Sequence, residues 1–246
     1  MIAGPGWTTR VRRDYAARGY PEPTLADLGA SVAAIRPGVL DFCFALGREA
    51  GVPAAVAEAR TVAIAYSVAA VNLADDLADG DCDYLAEPFR SGPTTQYLLQ
   101  CLFFEKVCAL GTPAEVLAAV TRDFEQVAAW QHVEIVTKAW TGELARDVAL
   151  GITARQVVAY LRIALFGRPP AEHAEALGLD VGLATHVALD AESSDSRFWS
   201  IAPRDRDELA RSALDAIERA AAFEFEALEP IAAQVRRTLD PLVRPR

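Results

Sequence analysis

Five aspartates stand close together at the end of an apolar stretch of the sequence: Asp75, Asp76, Asp79, Asp81 and Asp83. The stretch before them, residues 61–74, carries no formal charge and is predicted to form a buried helix. At 3.6 residues per turn, Asp75 and Asp79 share one helix face with roughly 6 Å between their stems. Two carboxylates at that spacing can chelate Mg²⁺, which prefers oxygen ligands, keeps several waters and shares the phosphate oxygens of a substrate. The spacing therefore predicts a magnesium site with Asp75 and Asp79 as ligands and Asp76 beside them.

The same residues fit an ordinary alternative, a solvated acidic helix end that stops at Gly80. Acidic side chains at a helix C-terminus oppose the helix dipole, however. Like charges gathered beside an apolar run are also costly to hold. These two costs favour a cation-binding site over a simple surface turn.

Composition limits the classes of protein that this sequence can encode. The chain has 246 residues, 52% of them hydrophobic, and a net charge of −10 without basic runs, which argues against a nucleic-acid partner. The four cysteines form no CxxC pair, which fits a reducing cytoplasm. No apolar run reaches the ~20 residues of a membrane span, and the N-terminus lacks a signal-peptide pattern. We therefore expect a cytoplasmic protein with no integral membrane segment.

The elements that must position the aspartates are helices, since alternating strand patterns are absent. Prolines, glycines and capping residues predict helices over 38–47, 53–79, 94–109, 114–150, 153–166 and 169–195, and a last helix or helix pair over 205–239. The first 24 residues are expected to be peripheral, and residues 84–95, with two prolines and a glycine, to form a mobile loop. We predict one all-α domain over residues 1–246.

An Asp-Asp-x-x-Asp sequence at the end of a long buried helix, in an all-helical chain, resembles the first aspartate-rich motif of the trans-prenyl diphosphate synthases. That family has the class I isoprenoid (terpene) synthase fold. Three further segments match in the same order: Ile35-Arg36-Pro37-Gly38, Thr141-Gly142-Glu143, and 176–179 leading to 190–195. The resemblance implies a single helical bundle around a central cavity. It also implies a homodimer, with the apolar segment 97–109 as an interface helix.

The resemblance assigns roles to individual residues. In the family, the first and last aspartates of the first motif bind Mg²⁺, which holds the diphosphate of an allylic prenyl substrate; these are Asp75 and Asp79 here. The second metal motif falls on Asp190, with Ser194 or Glu192 assisting, and a solvated helix face is the alternative there. The residues expected to bind diphosphate are Arg36, Arg90, Arg168 and Arg197, and the sequence does not choose among them. The residues expected to line an apolar cavity are Phe42, Tyr66, Ser67, Ala70, Val71, Phe104, Trp140, Phe166 and His186, although each aromatic also fits ordinary core packing.

The sequence departs from the family where a second substrate would bind. Chain elongation requires a site for isopentenyl diphosphate, but Ala33 replaces a family lysine and Val68 a family His or Gln. An intact ionisation motif beside a reduced co-substrate site favours a Mg²⁺-dependent terpene synthase. Such an enzyme would ionise one allylic diphosphate of about C15 to C20 in a roomy cavity. Two alternatives stay open: a chain-elongating prenyl diphosphate synthase, and a degenerate non-catalytic partner subunit of one.

Overall fold

A computed structural model describes residues 6–36, 38–193 and 196–243 of the chain. These residues form helices and no strand, which confirms the predicted all-α fold. The chain divides into two compact units. Unit 1 comprises Met1–Arg48 and Val52–Pro113, and unit 2 comprises Glu49–Gly51 and Ala114–Arg246. The arrangement of the chain as one domain stays a prediction.

Unit 1 is built around one long apolar helix. Its helices are α1 (Trp7–Ala16), α2 (Glu22–Ala33), α3 (Gly38–Glu49), α4 (Ala54–Asp79) and α5 (Pro88–Ala109). Pro53 precedes α4, and every residue from Thr61 to Ala70 is buried, which explains why this stretch carries no charge. Helix α4 ends at Gly80, whose φ of 81° is left-handed and suits a glycine.

The N-terminal helix belongs to the core of unit 1. Trp7, Val11 and Tyr15 share one face of α1 and are buried. Asp14 accepts a hydrogen bond from the Tyr66 hydroxyl of α4 at 2.8 Å and pairs with Lys106 of α5. The structure therefore places these described N-terminal residues inside unit 1, whereas the sequence suggested a peripheral segment.

Unit 2 consists of α6 (Ala114–Val136), α7 (Gly142–Ala149), a π-helix (Leu150–Ala154), α8 (Arg155–Leu165), α9 (Ala174–Glu192), α10 (Ser196–Ser200), α11 (Pro203–Ala221) and α12 (Glu229–Leu239). The predicted helix over 114–150 is wrong, because α6 stops at Val136 and α7 restarts at Gly142. Thr141 caps α7 by accepting a hydrogen bond from the backbone N–H of Leu144 at 3.2 Å.

Within the described residues, two helical stretches are long and apolar enough to cross a membrane by length and composition. They are Ala54–Asp79 and Gly142–Leu165, and 67% and 72% of their apolar windows lie buried inside the protein. Polar residues interrupt both stretches, so neither stands out in the sequence as one continuous apolar run. Burial within the fold accounts for most of the apolar surface of both stretches.

Candidate functional site

The clustered aspartates lie at and beyond the C-terminal end of α4. Asp75 and Asp79 are exposed, one turn apart, whereas Asp76 is half-buried. The side chain of Asp79 makes no hydrogen bond or ion pair within the described part of the chain. Its carboxylate therefore faces water at the helix end where the dipole is least favourable to negative charge.

Asp76 has a different environment from its two neighbours. Its carboxylate accepts a hydrogen bond from the Tyr84 hydroxyl at 2.7 Å. Burial and this hydrogen bond, with further contributions from the charges of Asp76 and Cys82, raise the pKa of Tyr84. Tyr84 thus stays a neutral donor that holds the loop after α4 against the helix end. Sequence reasoning missed Tyr84, although a tyrosine a few residues after an acidic motif is a natural hydrogen-bond donor to it.

The start of α5 lies beside the same helix end. Residues 88–95 are helical, so the predicted mobile loop is wrong over these residues. Gly92 packs directly on Leu77 of α4: a Cβ added to Gly92 would lie 2.8 Å from a Leu77 methyl group. Arg90, two residues earlier, is 83% exposed and pairs with Glu87 at 2.9 Å. Arg90 thus lies near the start of α5, which packs beside the end of α4 that carries Asp75 and Asp79.

In unit 2, the predicted second metal ligand already has a partner. Asp190 of α9 lies 3.3 Å from Nε2 of His186, one turn earlier on the helix. Nδ1 of His186 lies 2.7 Å from the hydroxyl of Thr153 in the π-helix. Burial disfavours the charged imidazole, but the hydrogen bond and charge of Asp190 and the charge of Glu134 outweigh it and raise the pKa of His186.

Arg197 and Glu192, two further predicted site residues of unit 2, also have partners. Arg197 forms an ion pair with Glu134 of α6, whose side chain is only 11% exposed. Glu192 accepts hydrogen bonds from Thr238 and Gln234 of α12. Ser194 lies outside the described residues. No sequence pattern pointed to Glu134 or Thr153 as site residues. Glu134 lies within a predicted helix, and Thr153 fits the cap of the next predicted helix.

The remaining two arginines stand apart from these groups. Arg36 is exposed at the end of the turn after α2, in unit 1. Arg168 is half-buried in unit 2, and its backbone N–H donates to the carbonyl of Leu165 where α8 ends. Neither side chain makes a hydrogen bond or ion pair within the described residues.

The predicted cavity residues of unit 1 are mostly packed. Phe42, Tyr66, Ser67 and Ala70 are buried, and the Tyr66 hydroxyl donates to Asp14. Val71 is half-buried. Phe104 is 41% exposed and meets Phe103 edge-on at 5.0 Å, so it lies on the surface of α5.

In unit 2, Trp140 packs on a small apolar cluster formed by Val127, Val148 and Ile152. Phe166 is half-buried at the end of α8. A cavity of about 530 Å³ lies elsewhere in this unit, between the α11–α12 turn and α12. None of the predicted cavity residues borders it.

Comparisons with known proteins identify the fold. No protein-family model and no curated protein sequence matches the chain. The structure is similar to a geranyltranstransferase from Thermotoga maritima, with 12% identity, a TM-score of 0.71 and 96% of each chain covered. It is also similar to a proposed farnesyl-diphosphate synthase from Marinomonas sp. MED121, with 16% identity, a TM-score of 0.71 and coverage of 95% of this chain and 97% of that one. Identities this low show the fold alone, and that fold is the all-α, class I isoprenoid synthase fold that the aspartate motif predicts.

Mg²⁺ is the metal that this fold class implies, and the end of α4 suits it. Asp75 and Asp79 offer hard oxygen ligands, and Asp79 has no competing cation in the described residues. No group of three or more His, Cys, Asp or Glu in the described part of the chain is placed to hold a metal ion. A metal at this carboxylate pair would therefore depend on water and substrate oxygens for its other ligands, as Mg²⁺ commonly does.

Proposed function

We propose that this chain is a Mg²⁺-dependent enzyme that binds an allylic prenyl diphosphate and breaks its carbon–oxygen bond. The observation that carries the proposal is the exposed pair Asp75 and Asp79 at the end of a buried helix, within a fold shared with prenyltransferases. An acidic pair held where the helix dipole opposes it is costly for a protein without a cation to bind.

The residues of unit 1 have separate tasks in this proposal. Asp75 and Asp79 would hold the metal, and Tyr84 keeps Asp76 and the following loop against the helix end. Mg²⁺ bound there would supply charge that stabilises the departing diphosphate. Arg90, exposed at the same end, would add a guanidinium, which suits bidentate contact with phosphate oxygens.

Chain elongation is the reaction that the comparisons favour, because the similar structures carry the names of a geranyltranstransferase and a farnesyl-diphosphate synthase. In this reaction the double bond of isopentenyl diphosphate would attack the allylic cation to form a carbon–carbon bond, and the resulting cation would lose a proton. Arg36, exposed and without a partner in the described residues, is a cation available to a second diphosphate.

A single-substrate terpene synthase is the second candidate. The positions at which the family resemblance expects a lysine and a His or Gln hold an exposed Ala33 and a buried Val68. Neither side chain can bind an anion, which weakens a second diphosphate site. The allylic cation would then cyclise or react with water.

Product analysis separates these reactions. The purified protein is incubated with Mg²⁺ and geranyl, farnesyl or geranylgeranyl diphosphate, with and without isopentenyl diphosphate. Longer diphosphates that form only with isopentenyl diphosphate establish elongation, whereas a hydrocarbon or alcohol from one substrate establishes a terpene synthase. No turnover under any condition, in a protein that copurifies with a homologue, would contradict both and indicate a non-catalytic partner subunit.

A further inference from the structure

One face of α9 carries four residues at a spacing of four: Gly178, Gly182, His186 and Asp190. The two glycines bring α9 against α8 and the π-helix. A Cβ added to Gly178 would lie 2.7 Å from the Val158 backbone, and one added to Gly182 would lie 2.2 Å from Cα of Ala154. Because the backbone of α9 lies this close to α8 and the π-helix, His186, the next residue on this face of α9, is held beside Thr153.

Thr153 sets the orientation of the imidazole. Its hydroxyl lies 2.7 Å from Nδ1 of His186, and the opposite nitrogen, Nε2, lies 3.3 Å from Asp190. When the hydroxyl donates to Nδ1, the proton of the neutral ring lies on Nε2. In the charged ring both nitrogens carry protons, so the imidazole can present an N–H to Asp190 in either state.

The second acid of this region has its own cation. Glu134 comes from α6, is nearly buried, and pairs with the guanidinium of Arg197 from α10. Arginine keeps its charge at every physiological pH, so this pair does not depend on protonation. Asp190 and Glu134 thus each have one carboxylate oxygen beside a nitrogen of the protein's own side chains.

We propose that in unit 2 the side chains of His186 and Arg197 pair with the acids Asp190 and Glu134, so that these two acids bind no Mg²⁺. The proposal rests on the proposed function, since it concerns the second metal motif that the family resemblance expects at Asp190. A metal ion bound by these acids would displace the imidazole or the guanidinium, or lie beside their positive charge, and either outcome disfavours a divalent cation. Metal binding then rests on the Asp75 and Asp79 pair of unit 1.

Mn²⁺ binding to the full-length protein, measured by electron paramagnetic resonance and calorimetry, tests the proposal without substrate. We expect Asp190→Asn and Glu134→Gln to bind as much Mn²⁺ as the wild type, with affinity changed less than about twofold. Asp79→Asn should lose affinity by about tenfold or more. Asparagine and glutamine keep the side-chain size, and circular dichroism confirms folding of each variant.

A second experiment looks for a gain of Mn²⁺ binding. His186→Asp removes the imidazole and places a second carboxylate one turn before Asp190, the same spacing as Asp75 and Asp79. We expect this variant to bind additional Mn²⁺. Thr185→Asp is the matched control, because it adds the same charge one residue away and leaves His186 in place.

The Mn²⁺ measurements distinguish failure of this inference from failure of the proposed function. Loss of Mn²⁺ binding in Asp190→Asn would overturn this inference and leave the proposed function standing. Absence of Mn²⁺ binding by the wild type, both alone and with inorganic pyrophosphate, would contradict the proposed function, and a gain in His186→Asp would then still support the role of the imidazole. A folded His186→Asp variant that binds no additional Mn²⁺ would contradict that role.

Discussion

The ionisation of His186 in unit 2 depends on its acidic neighbours. Its pKa is raised above the ordinary value of 6.5, because Asp190 and Glu134 outweigh the effect of burial. A group whose pKa is higher in the folded than in the unfolded state stabilises the fold at low pH. This stabilisation is complete below pH 6.5 and is lost as pH rises through the raised pKa of the folded protein.

We therefore expect the free energy of unfolding to fall as pH rises through this window. Urea unfolding at a series of pH values measures this free energy. His186→Gln should remove the contribution of the imidazole to its dependence on pH. His132→Gln, at an exposed position of α6, should keep it. An unchanged slope in His186→Gln would show that the imidazole is not held by its acidic neighbours.

At the scale of helices, the contact of α9 with α8 and the π-helix depends on glycines. Gly182 allows the closest approach, and an added Cβ would meet the Ala154 backbone rather than the movable end of a side chain. Such overpacking costs about 1–3 kcal/mol, and the backbone contact places Gly182→Ala at the upper end of that range.

Urea unfolding of Gly182→Ala should thus show a loss of about 3 kcal/mol. Gly38→Ala is the control, since a Cβ there meets nothing within 4 Å and alanine favours a helix. Equal stability of the two variants would contradict the close approach of the helices.

Helix α4 shows how much of the fold the sequence can predict. Its predicted bounds, 53 to 79, match the structure within one residue, because a proline, an uncharged run and a glycine mark its start, middle and end. The positions of the aspartates at its end follow from the same pattern, since their spacing depends on local helix geometry alone.

The π-helix shows what local patterns do not contain. Thr153 is predicted to cap a helix, but it lies within the π-helix and its hydroxyl meets His186 of α9. Gly151 allows Trp130 of α6 to pack closely there, since an added Cβ would lie 2.0 Å from the indole. These contacts join residues far apart in sequence, so neither the π-helix nor the partners of Asp190 could be predicted from spacing.

For the whole molecule, the family resemblance implies a homodimer with the segment 97–109, in α5, at the interface. The helix exposes large apolar side chains along one side, with Phe89 75%, Tyr97 67% and Phe104 41% exposed. Exposed apolar residues grouped on one helix are typical of interaction surfaces. We expect sedimentation equilibrium to show a dimer, and Phe104→Asp to shift it toward the monomer.

Val56→Asp is the control for this dimer, because Val56 is exposed to a similar degree, 37%, but lies on α4. It should leave the mass of the assembly unchanged. A monomeric wild type, or equal effects of the two substitutions, would contradict an interface on α5.

The proposed function depends on Asp75 and Asp79, which would hold a metal ion that binds a diphosphate. Calorimetry of inorganic pyrophosphate binding, with and without Mg²⁺, tests this role most directly. We expect binding that requires Mg²⁺ and that weakens by about tenfold or more in Asp79→Asn. Asp83→Asn, at an exposed aspartate beyond Gly80, should bind like the wild type. Pyrophosphate binding that needs no metal, or that is equally strong in Asp79→Asn, would contradict a metal site at these aspartates.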